Sequence, residues 1–530
     1  MNSDIDAGVL CERIWRKDAS LWSLDSSVQS AINNRLGWLD SPNWSAEIAA
    51  ELQQWARSDE ELSGCDTIVL LGMGGSSLAP RVLADVCASD LSKTLVVVDT
   101  TSPVAVSQFD QEALQKSFFV VSSKSGTTIE TDSLYRFFYQ KVAEIVEQPS
   151  RRFVAITDHN SWLHRHAEEK EFARVFVNPK DIGGRYSAIS YFGLVPAAMA
   201  GIDVQSIADR ANTFRAQCKL TDQDANPALA LGLRIAAAWD TKTPNLYLKM
   251  DLGLASMGLW IEQLVAESTG KQGKGLLPIV CCSEDVIPSD RESSIFIDVL
   301  DPSSSVDGEI CRDIGAEFFK WEFATAVAAA LMKINPFDEP NVAEAKESTK
   351  EFLLQGKTLN TRTILTSDAY DVVVSAEIGQ QSALEVFLSA GAKEHYLAVL
   401  AYVAESREIE MALNRLQVEL VRKTDRAVTI GMGPRYLHST GQLHKGGAPV
   451  GNYLQLIEQS HGNTPVPEMS YTFESLFQAQ ADGDFDVLAQ RGRPLVRIVL
   501  KGDRLRAIDQ LMNDIRGLQV DHGKTAKDSI

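Results

Sequence analysis

A hydroxyl-rich turn at residues 123–128 could bind an anion. It lies between an apolar run and a segment with helical spacing, and it reads Ser123, Lys124, Ser125, Gly126, Thr127 and Thr128. Hydroxyls beside free backbone N–H groups at a helix N-terminus suit a phosphate, and Gly126 lets the backbone approach it closely. Capping a helix needs one hydroxyl, whereas this turn has four and a lysine, so the pattern favours anion binding over a plain helix cap.

A second turn, rich in glycine, follows an earlier apolar run. Gly72, Gly74 and Ser77 approach the GxGxxG pattern of dinucleotide-binding proteins, and Asp99 stands where a ribose-binding acid could be. Serine replaces the third glycine, however, and the hydroxyl-rich turn is expected in the same sheet. The sequence therefore favours one phosphorylated sugar over a dinucleotide.

An arginine and a glutamate could act on such a ligand. Arg185 follows two glycines, so it has room to reach a ligand, and its planar fork suits a phosphate or a developing oxyanion. In isolation it would be taken for a loop arginine paired with a surface carboxylate. Gln263 and Glu267 are four residues apart, on one face of a predicted helix that Gly270 should end. Glu267 then lies at a helix end, where a carboxylate can face a pocket.

The elements that must position these residues alternate between strands and helices. The first half has strand-like runs at residues 67–71, 95–98, 118–121, 153–156 and 175–177. The second half has strand-like runs at residues 278–281, 295–299, 427–430, 453–457 and 495–499, with helices predicted at 314–333, after Pro340 and at 381–423. This alternation predicts doubly wound α/β domains with parallel sheets flanked by helices, which bind ligands at the carboxyl ends of the strands.

The predicted organisation has four parts. Residues 1–60 form a helical segment to which the sequence assigns no chemistry, residues 61–240 a first domain, residues 241–520 a second domain with helical insertions, and residues 521–530 a disordered tail.

Composition narrows the class of protein. The 530 residues have 45% hydrophobic content and a formal charge of −20, which disfavours nucleic acid and anionic membranes as partners. The seven cysteines show no CxxC pair, so they indicate neither a disulfide framework nor a zinc site, and reduced core thiols are expected. The N-terminus lacks the pattern of a secretory signal, and no apolar run has bilayer length, so a cytoplasmic enzyme is expected.

Four motifs together resemble the glucose-6-phosphate isomerase (phosphoglucose isomerase) family. They are the turns around Gly72 and Ser123, the segment around Arg185 and the segment that begins at Glu267, in the order that the family has them. The rest of the chain, including residues 433–447, looks most like the isomerase half of fused transaldolase/phosphoglucose isomerase proteins. The resemblance implies two sugar isomerase domains and an enzyme of carbohydrate metabolism.

The resemblance also implies roles for individual residues. The substrate phosphate would be held by Ser123, Ser125 and Thr128, with Lys124 nearby, and the sugar would be lined by Gly75, Ser76 and Gln263. Arg185 would stabilise an enediolate, and Glu267 would be the base that moves a proton between C1 and C2. A carboxylate base beside a cation suits this chemistry, because the proton alpha to a carbonyl is removable only if the enediolate is stabilised.

Two further residues match the family's ring-opening motifs, but in inverted order along the chain. The segment 335–346 resembles the family's lysine helix and the segment 437–442 its histidine motif, which assigns ring opening to Lys346 and His438. In ordinary members the histidine motif comes first. Both segments must therefore converge on Glu267 if this assignment is right.

Some alternatives stay open at this point. Glu339 stands where the family usually has glutamine, and His444 and Lys445 replace the ring-opening pair if the register differs. A non-catalytic sugar-phosphate sensor would need neither Glu267 nor Arg185, whereas an isomerase that also accepts mannose 6-phosphate would need both. An amination-coupled isomerase lacks support, because no glutaminase segment is present. The reaction requires no metal or other cofactor, and the resemblance is compatible with a homodimer.

Overall fold

The computed structural model describes residues 6–240, 245–291, 294–300, 310–376, 383–392, 394–459 and 462–518. The chain starts with four helices: α1 (Ala7–Trp15), α2 (Ser26–Asn33), α3 (Ser41–Ser58) and α4 (Glu60–Ser63). Buried side chains of this segment, including Trp22 and Trp38, belong to the same apolar core as strands of the first sheet. The helical character predicted for this segment is confirmed.

The first sheet has five parallel strands, β1 (Thr67–Gly72), β2 (Thr94–Val98), β3 (Ser117–Ser122), β4 (Phe153–Asp158) and β5 (Arg174–Asn178). Six helices accompany them: α5 (Leu78–Val86), α6 (Pro103–Ser107), α7 (Gln111–Gln115), α8 (Ile129–Ala143), α9 (Trp162–Glu169) and α10 (Tyr191–Met199). All five strands were predicted. The signal is clearest for β1, β3 and β4, which are apolar runs bounded by polar turns, and every residue of β3 is buried.

The strand order is β2-β1-β3-β4-β5, so the direction of winding reverses between β1 and β3. Gly72 at the end of β1 is paired with Ser122 at the end of β3. The glycine turn and the hydroxyl-rich turn therefore leave neighbouring strands at the switch point, where ligands of such sheets bind.

A second, three-stranded parallel sheet follows two connecting helices. The elements are α11 (Val204–Gln217), α12 (Pro227–Asp240), β6 (Asn245–Lys249), α13 (Ala255–Thr269), β7 (Leu277–Cys281), β8 (Ser294–Asp298), α14 (Ile310–Leu331) and α15 (Pro340–Leu354), and the sheet order is β7-β6-β8. As predicted, α13 ends at Gly270 and Pro340 opens a helix.

The third sheet has six strands and is mixed. Its elements are β9 (Thr361–Thr366), β10 (Tyr370–Ser375), α16 (Ala383–Ser389), β11 (Tyr396–Tyr402), α17 (Arg407–Thr424), β12 (Val428–Met432), α18 (Thr440–Gly446), β13 (Gly451–Glu458), α19 (Phe473–Gln490), β14 (Leu495–Leu500) and α20 (Arg504–Gly517). The order is β12-β11-β13-β14-β10-β9; the first four strands are parallel, and β10 and β9 add an antiparallel edge. The α/β class with parallel sheets flanked by helices is confirmed.

The helical prediction for residues 381–423 is wrong in its middle. Strand β11 lies there, and all seven of its residues are buried. A short apolar run is ambiguous between a buried strand and a buried helix segment, and here the neighbours β12 and β13 decide in favour of the strand.

Apolar packing crosses the predicted division at residue 240. One core cluster runs from Leu10 to Phe337, and two others, within residues 370–515 and 247–495, fill the C-terminal part. The predicted domain boundaries stay predictions, and the tail predicted at 521–530 lies outside the described residues.

The expectation that all cysteines are reduced is wrong for one pair. Cys87, after α5, and Cys311, in α14, form a disulfide across 224 residues of sequence. So long a separation leaves no local spacing signal. Within the described part of the chain, no helix is both long and apolar enough to cross a membrane.

Candidate active site

The hydroxyl-rich turn connects β3 to α8. Ser123 Oγ accepts a hydrogen bond from Gly126 N at 3.1 Å and lies 3.2 Å from Thr128 Oγ1, while Ser125 Oγ accepts from Thr127 N at 3.3 Å. Gly126 has φ +70°, and a Cβ there would lie 2.7 Å from Leu163 N, so the turn requires glycine. Within the described residues the Thr128 side chain makes no capping hydrogen bond to α8, which leaves the anion-binding interpretation in place.

The lysine of this turn is already paired. Lys124 Nζ lies 2.8 Å from the Asp158 carboxylate and donates to the Lys180 carbonyl at 3.1 Å. Burial lowers the pKa of Lys124, and the Asp158 charge only partly offsets this effect. The net positive charge that Lys124 brings to the turn is therefore small.

The glycine turn lies against the loop that carries Arg185. A Cβ on Gly75 would lie 2.2 Å from the Gly184 carbonyl oxygen, and Ser187 Oγ donates to the Gly75 carbonyl at 3.4 Å. Ser76, next in the turn, is partly buried. Gly75 and Ser76, two of the three predicted sugar-lining residues, thus lie in the turn that borders the arginine loop.

Arg185 and Glu267 form a buried ion pair. Arg185 Nη1 lies 2.8 Å from Glu267 Oε1, and both side chains are less than a tenth exposed. The guanidinium also donates from Nε to Ser268 Oγ at 3.2 Å and from Nη2 to the Pro336 and Asp338 carbonyls at 2.8 and 3.0 Å. Because its donors are distributed over α13 and the segment before α15, the guanidinium is held in one orientation.

The environment of Glu267 favours the protonated form of its carboxyl group. Burial raises the pKa of its carboxyl, and the neighbouring Glu339 carboxylate adds to this effect. Arg185 and His438 oppose the rise, and the net direction is upward. A carboxyl with a raised pKa accepts a proton more readily than a surface carboxylate does.

Glu339 occupies the position where the family resemblance expects glutamine. Its Oε2 accepts from Arg185 Nη1 at 3.1 Å, so one guanidinium nitrogen serves two carboxylates. Burial would raise the pKa of Glu339, but the charge and hydrogen bond of Arg185, together with the charges of Lys271 and Arg35, hold it below the ordinary value. The site therefore contains a second carboxylate beside the candidate base.

His438 is connected to Glu267 through Gln263. Its ring nitrogen Nε2 is 3.0 Å from Glu130 Oε1, and its backbone carbonyl accepts from Gln263 Nε2 at 2.6 Å. The same amide nitrogen is 3.2 Å from Glu267 Oε2, so Gln263 connects the histidine segment to the candidate base. A Cβ on Gly74 would lie 2.9 Å from Gln263 Nε2, which places the glycine turn at the same point.

The two segments in inverted order do meet near the end of α13. Gln442 in α18 accepts from Asn341 N in α15 at 2.9 Å and donates to the Gly270 carbonyl at 2.9 Å. Lys346 is exposed on α15. Burial would raise the pKa of Glu130, but His438, with a smaller contribution from Lys346, holds it below its ordinary value.

His444 and Lys445, the alternatives to that pair, lie in the interior of the C-terminal part. His444 Nδ1 is 2.9 Å from Tyr396 Oη, and Lys445 Nζ is 2.5 Å from Asp484 Oδ1, with both members of the ion pair almost fully buried. Burial lowers the pKa of His444 well below its ordinary value. Both side chains are therefore buried in the core and engaged by core residues, so they do not replace the ring-opening pair.

Asp99 is not available as the ribose-binding acid that the dinucleotide alternative needs. Asp99 is buried, with Oδ1 2.9 Å from Arg81 and 3.0 Å from Arg435, so its carboxylate is engaged in an ion-pair cluster. In the parts of the chain that the structure describes, no group of three or more histidine, cysteine, aspartate and glutamate side chains could hold a metal ion.

Two residues of the site received no role from the sequence. Glu130 belongs to the motif around Ser123, but its partner His438 is 308 residues away. Lys271 ends the motif that begins at Glu267; its Nζ donates to the Asn335 carbonyl and to Asp338 Oδ1, both at 2.6 Å, and burial lowers its pKa to about 8. For both residues, the only local sequence signal was a charged side chain inside a motif.

The fold is that of an α/β protein with parallel sheets flanked by helices, and the candidate site lies at a strand switch point. The crystal structure of a glucose-6-phosphate isomerase from Chlamydia trachomatis shares the fold, with a TM-score of 0.50 and 19% identity over 66% of this chain and 78% of that one.

Sequence comparison is more specific. Residues 54–275 match the phosphoglucose isomerase family. The glucose-6-phosphate isomerase of Staphylococcus epidermidis is 31% identical over 265 residues, which is 46% of this chain and 58% of the relative. That of Lactococcus lactis is 26% identical over 283 residues, which is 49% of this chain and 63% of the relative.

The chain thus spans about three fifths of the length of these curated relatives. The resemblance carried by the four motifs is confirmed over the matched region, which contains all of them. The likeness to the isomerase half of a fused protein stays a prediction.

Proposed function

We propose that this protein interconverts glucose 6-phosphate and fructose 6-phosphate. The observation that carries the proposal is the buried Glu267–Arg185 pair, 2.8 Å apart, beside the glycine turn that follows β1. Phosphate binding alone needs neither residue, whereas proton transfer through an enediolate needs both a base and a fixed cation. The hydroxyl-rich turn on the neighbouring strand supports a phosphorylated sugar as the substrate.

Different residues would serve the two steps of the reaction, ring opening and proton transfer. His438 would exchange protons with the ring oxygen and the anomeric hydroxyl, with Lys346 assisting. Since Nε2 of His438 faces Glu130, Nδ1 is the ring nitrogen that remains for the sugar. Glu267 would then take the proton from C2 of the open-chain aldose and return it to C1, while Arg185 stabilises the enediolate oxygen.

Replacement of the base is the most direct test. Glu267→Gln removes the proton acceptor but keeps a hydrogen-bonding side chain of the same size, so conversion of fructose 6-phosphate should fall by at least about 10²-fold. Binding of an open-chain hexitol 6-phosphate, measured by calorimetry, should persist. Retention of more than a tenth of the wild-type rate would show that Glu267 is not the base.

The same assay separates the alternatives. A wild-type protein that binds the hexitol phosphate without turnover would be a sensor, and turnover of mannose 6-phosphate would broaden the substrate range. Cytoplasmic location and assembly as a homodimer stay predictions, to be measured by cell fractionation and by light scattering after size-exclusion chromatography.

A further inference from the structure

The N-terminal helical segment reaches the candidate site through residues 35–37. Leu36 pairs with Ile182 in an isolated antiparallel bridge, and Gly37 N donates to the Asp181 carbonyl at 2.9 Å. A Cβ on Gly37 would lie 2.4 Å from Asp181 Cγ, so the two segments are in close contact. Arg35 is therefore anchored against the loop that leads to Arg185.

The Arg35 side chain lies against the loop that leads to Arg185, and Lys124 of the hydroxyl-rich turn contacts the same loop through the Lys180 carbonyl. Its Cδ is 3.8 Å from the position that a Cβ on Gly183 would occupy, and the side chain is partly buried. Burial has the largest effect on the pKa values of Lys124, Asp158 and Glu339, and the charge of Arg35 contributes to all three. The charge of Arg35 therefore acts on groups of both the hydroxyl-rich turn and the arginine centre.

Two other cations near Arg35 are matched by carboxylates. Lys124 pairs with Asp158, and Arg185 is shared between Glu267 and Glu339. Among the residues that the structure describes, the Arg35 guanidinium forms no ion pair or side-chain hydrogen bond. A sugar phosphate brings up to two negative charges into a chain of formal charge −20, so a cation without a carboxylate partner at this place would favour its binding.

We propose that Arg35 binds the phosphate group of the substrate, opposite the hydroxyls of Ser123, Ser125 and Thr128. The inference rests on the proposed function for the identity of the ligand. A guanidinium offers two parallel donors to phosphate oxygens, which hydroxyl groups alone do not, so Arg35 selects phosphorylated over unphosphorylated sugars. The N-terminal segment then contributes to binding as well as to packing.

The test compares Arg35→Met with Arg35→Lys and with Arg57→Met, a control that removes an exposed arginine of α3 from the same chain. Calorimetry with inorganic phosphate and with an open-chain hexitol 6-phosphate gives the dissociation constants of the full-length protein. Loss of a charge-assisted contact should weaken both ligands by about tenfold or more in Arg35→Met, with partial recovery in Arg35→Lys. Fructose 6-phosphate should show the same fall in kcat/KM.

Two outcomes overturn the inference: unchanged dissociation constants in Arg35→Met, or an equal loss in Arg57→Met, which would indicate only the general field of the protein. An unchanged thermal midpoint in each variant shows that the fold is intact, and Arg35→Gln serves if Arg35→Met fails to fold. Arg35-dependent binding by a wild-type protein that does not isomerise would refute the enzyme proposal alone. Normal turnover with Arg35-independent binding would refute this inference alone.

Discussion

Replacing Glu339 by glutamine should move the acid limb of the pH profile to lower pH. Glu267 Oε1 and Glu339 Oε2 lie 2.8 and 3.1 Å from the same Arg185 nitrogen, so their separation cannot exceed the sum, about 6 Å. Charges at that distance repel by roughly 0.7 kcal/mol in water and about 3 kcal/mol at an effective dielectric constant near 20.

The lower part of this range applies, because the Glu339 side chain is 46% exposed and solvent screens it. An ionised Glu339 makes a second negative charge less favourable and raises the pKa of Glu267. In Glu339→Gln this repulsion is absent and Arg185 is left to Glu267, so the base ionises at lower pH. The acid limb of kcat/KM should move down by about 0.5 to 1 pH unit.

The assay is fructose 6-phosphate conversion between pH 5 and 9, quenched at fixed times so that no coupling enzyme sets the profile. Glu344→Gln is the matched control, since Glu344 lies on α15, five residues after Glu339, also pairs with an arginine and has the same 46% side-chain exposure. The reasoning is refuted by an acid limb that stays in place or moves up in Glu339→Gln, or that moves equally in Glu344→Gln.

Three further results are expected. Ser125→Ala combined with Thr128→Ala should raise KM for fructose 6-phosphate, since each lost hydrogen bond to a charged group costs about 1.5–3 kcal/mol; an unchanged KM would place the phosphate elsewhere. His438→Ala should slow cyclic substrate far more than an open-chain aldose, and equal losses on both would assign His438 a positioning role. Glu322 is fully buried in α14, and burial raises its pKa well above the ordinary value. Ionisation therefore favours the unfolded chain increasingly above the unfolded pKa of about 4.5, so Glu322→Gln should raise the thermal midpoint at pH 7 with little effect at pH 4; equal midpoints at pH 7 would contradict this.

Much of the first sheet and its turns could be predicted, because the signals are local. Buried strands such as β3 are continuous apolar runs, and the hydroxyl residues around Gly126 indicate the turn after β3. Glu267 lies three residues before Gly270, which ends the helix, so the sequence places Glu267 at a helix end. The resemblance added the roles of these residues, and the structure adds their contacts.

Contacts between distant parts of the chain could not be predicted. The partner of His438 is 308 residues away, and the partner of Cys87 is 224 residues away. Strand β11 has the same composition as a buried helix segment, so only its pairing with β12 and β13 identifies it. No role for Arg35 could be predicted from the sequence, because a single arginine after a helix forms no motif.

The meeting of α15 and the His438 segment at the end of α13 has a consequence for how such proteins are compared. On the predicted assignment, these two segments are permuted relative to the ordinary family order, and an alignment that preserves chain order can place only one of them. The family match ends at residue 275, before either segment begins. Superposition of side-chain positions, independent of connectivity, is therefore the comparison that can include Lys346 and His438 together with Glu267.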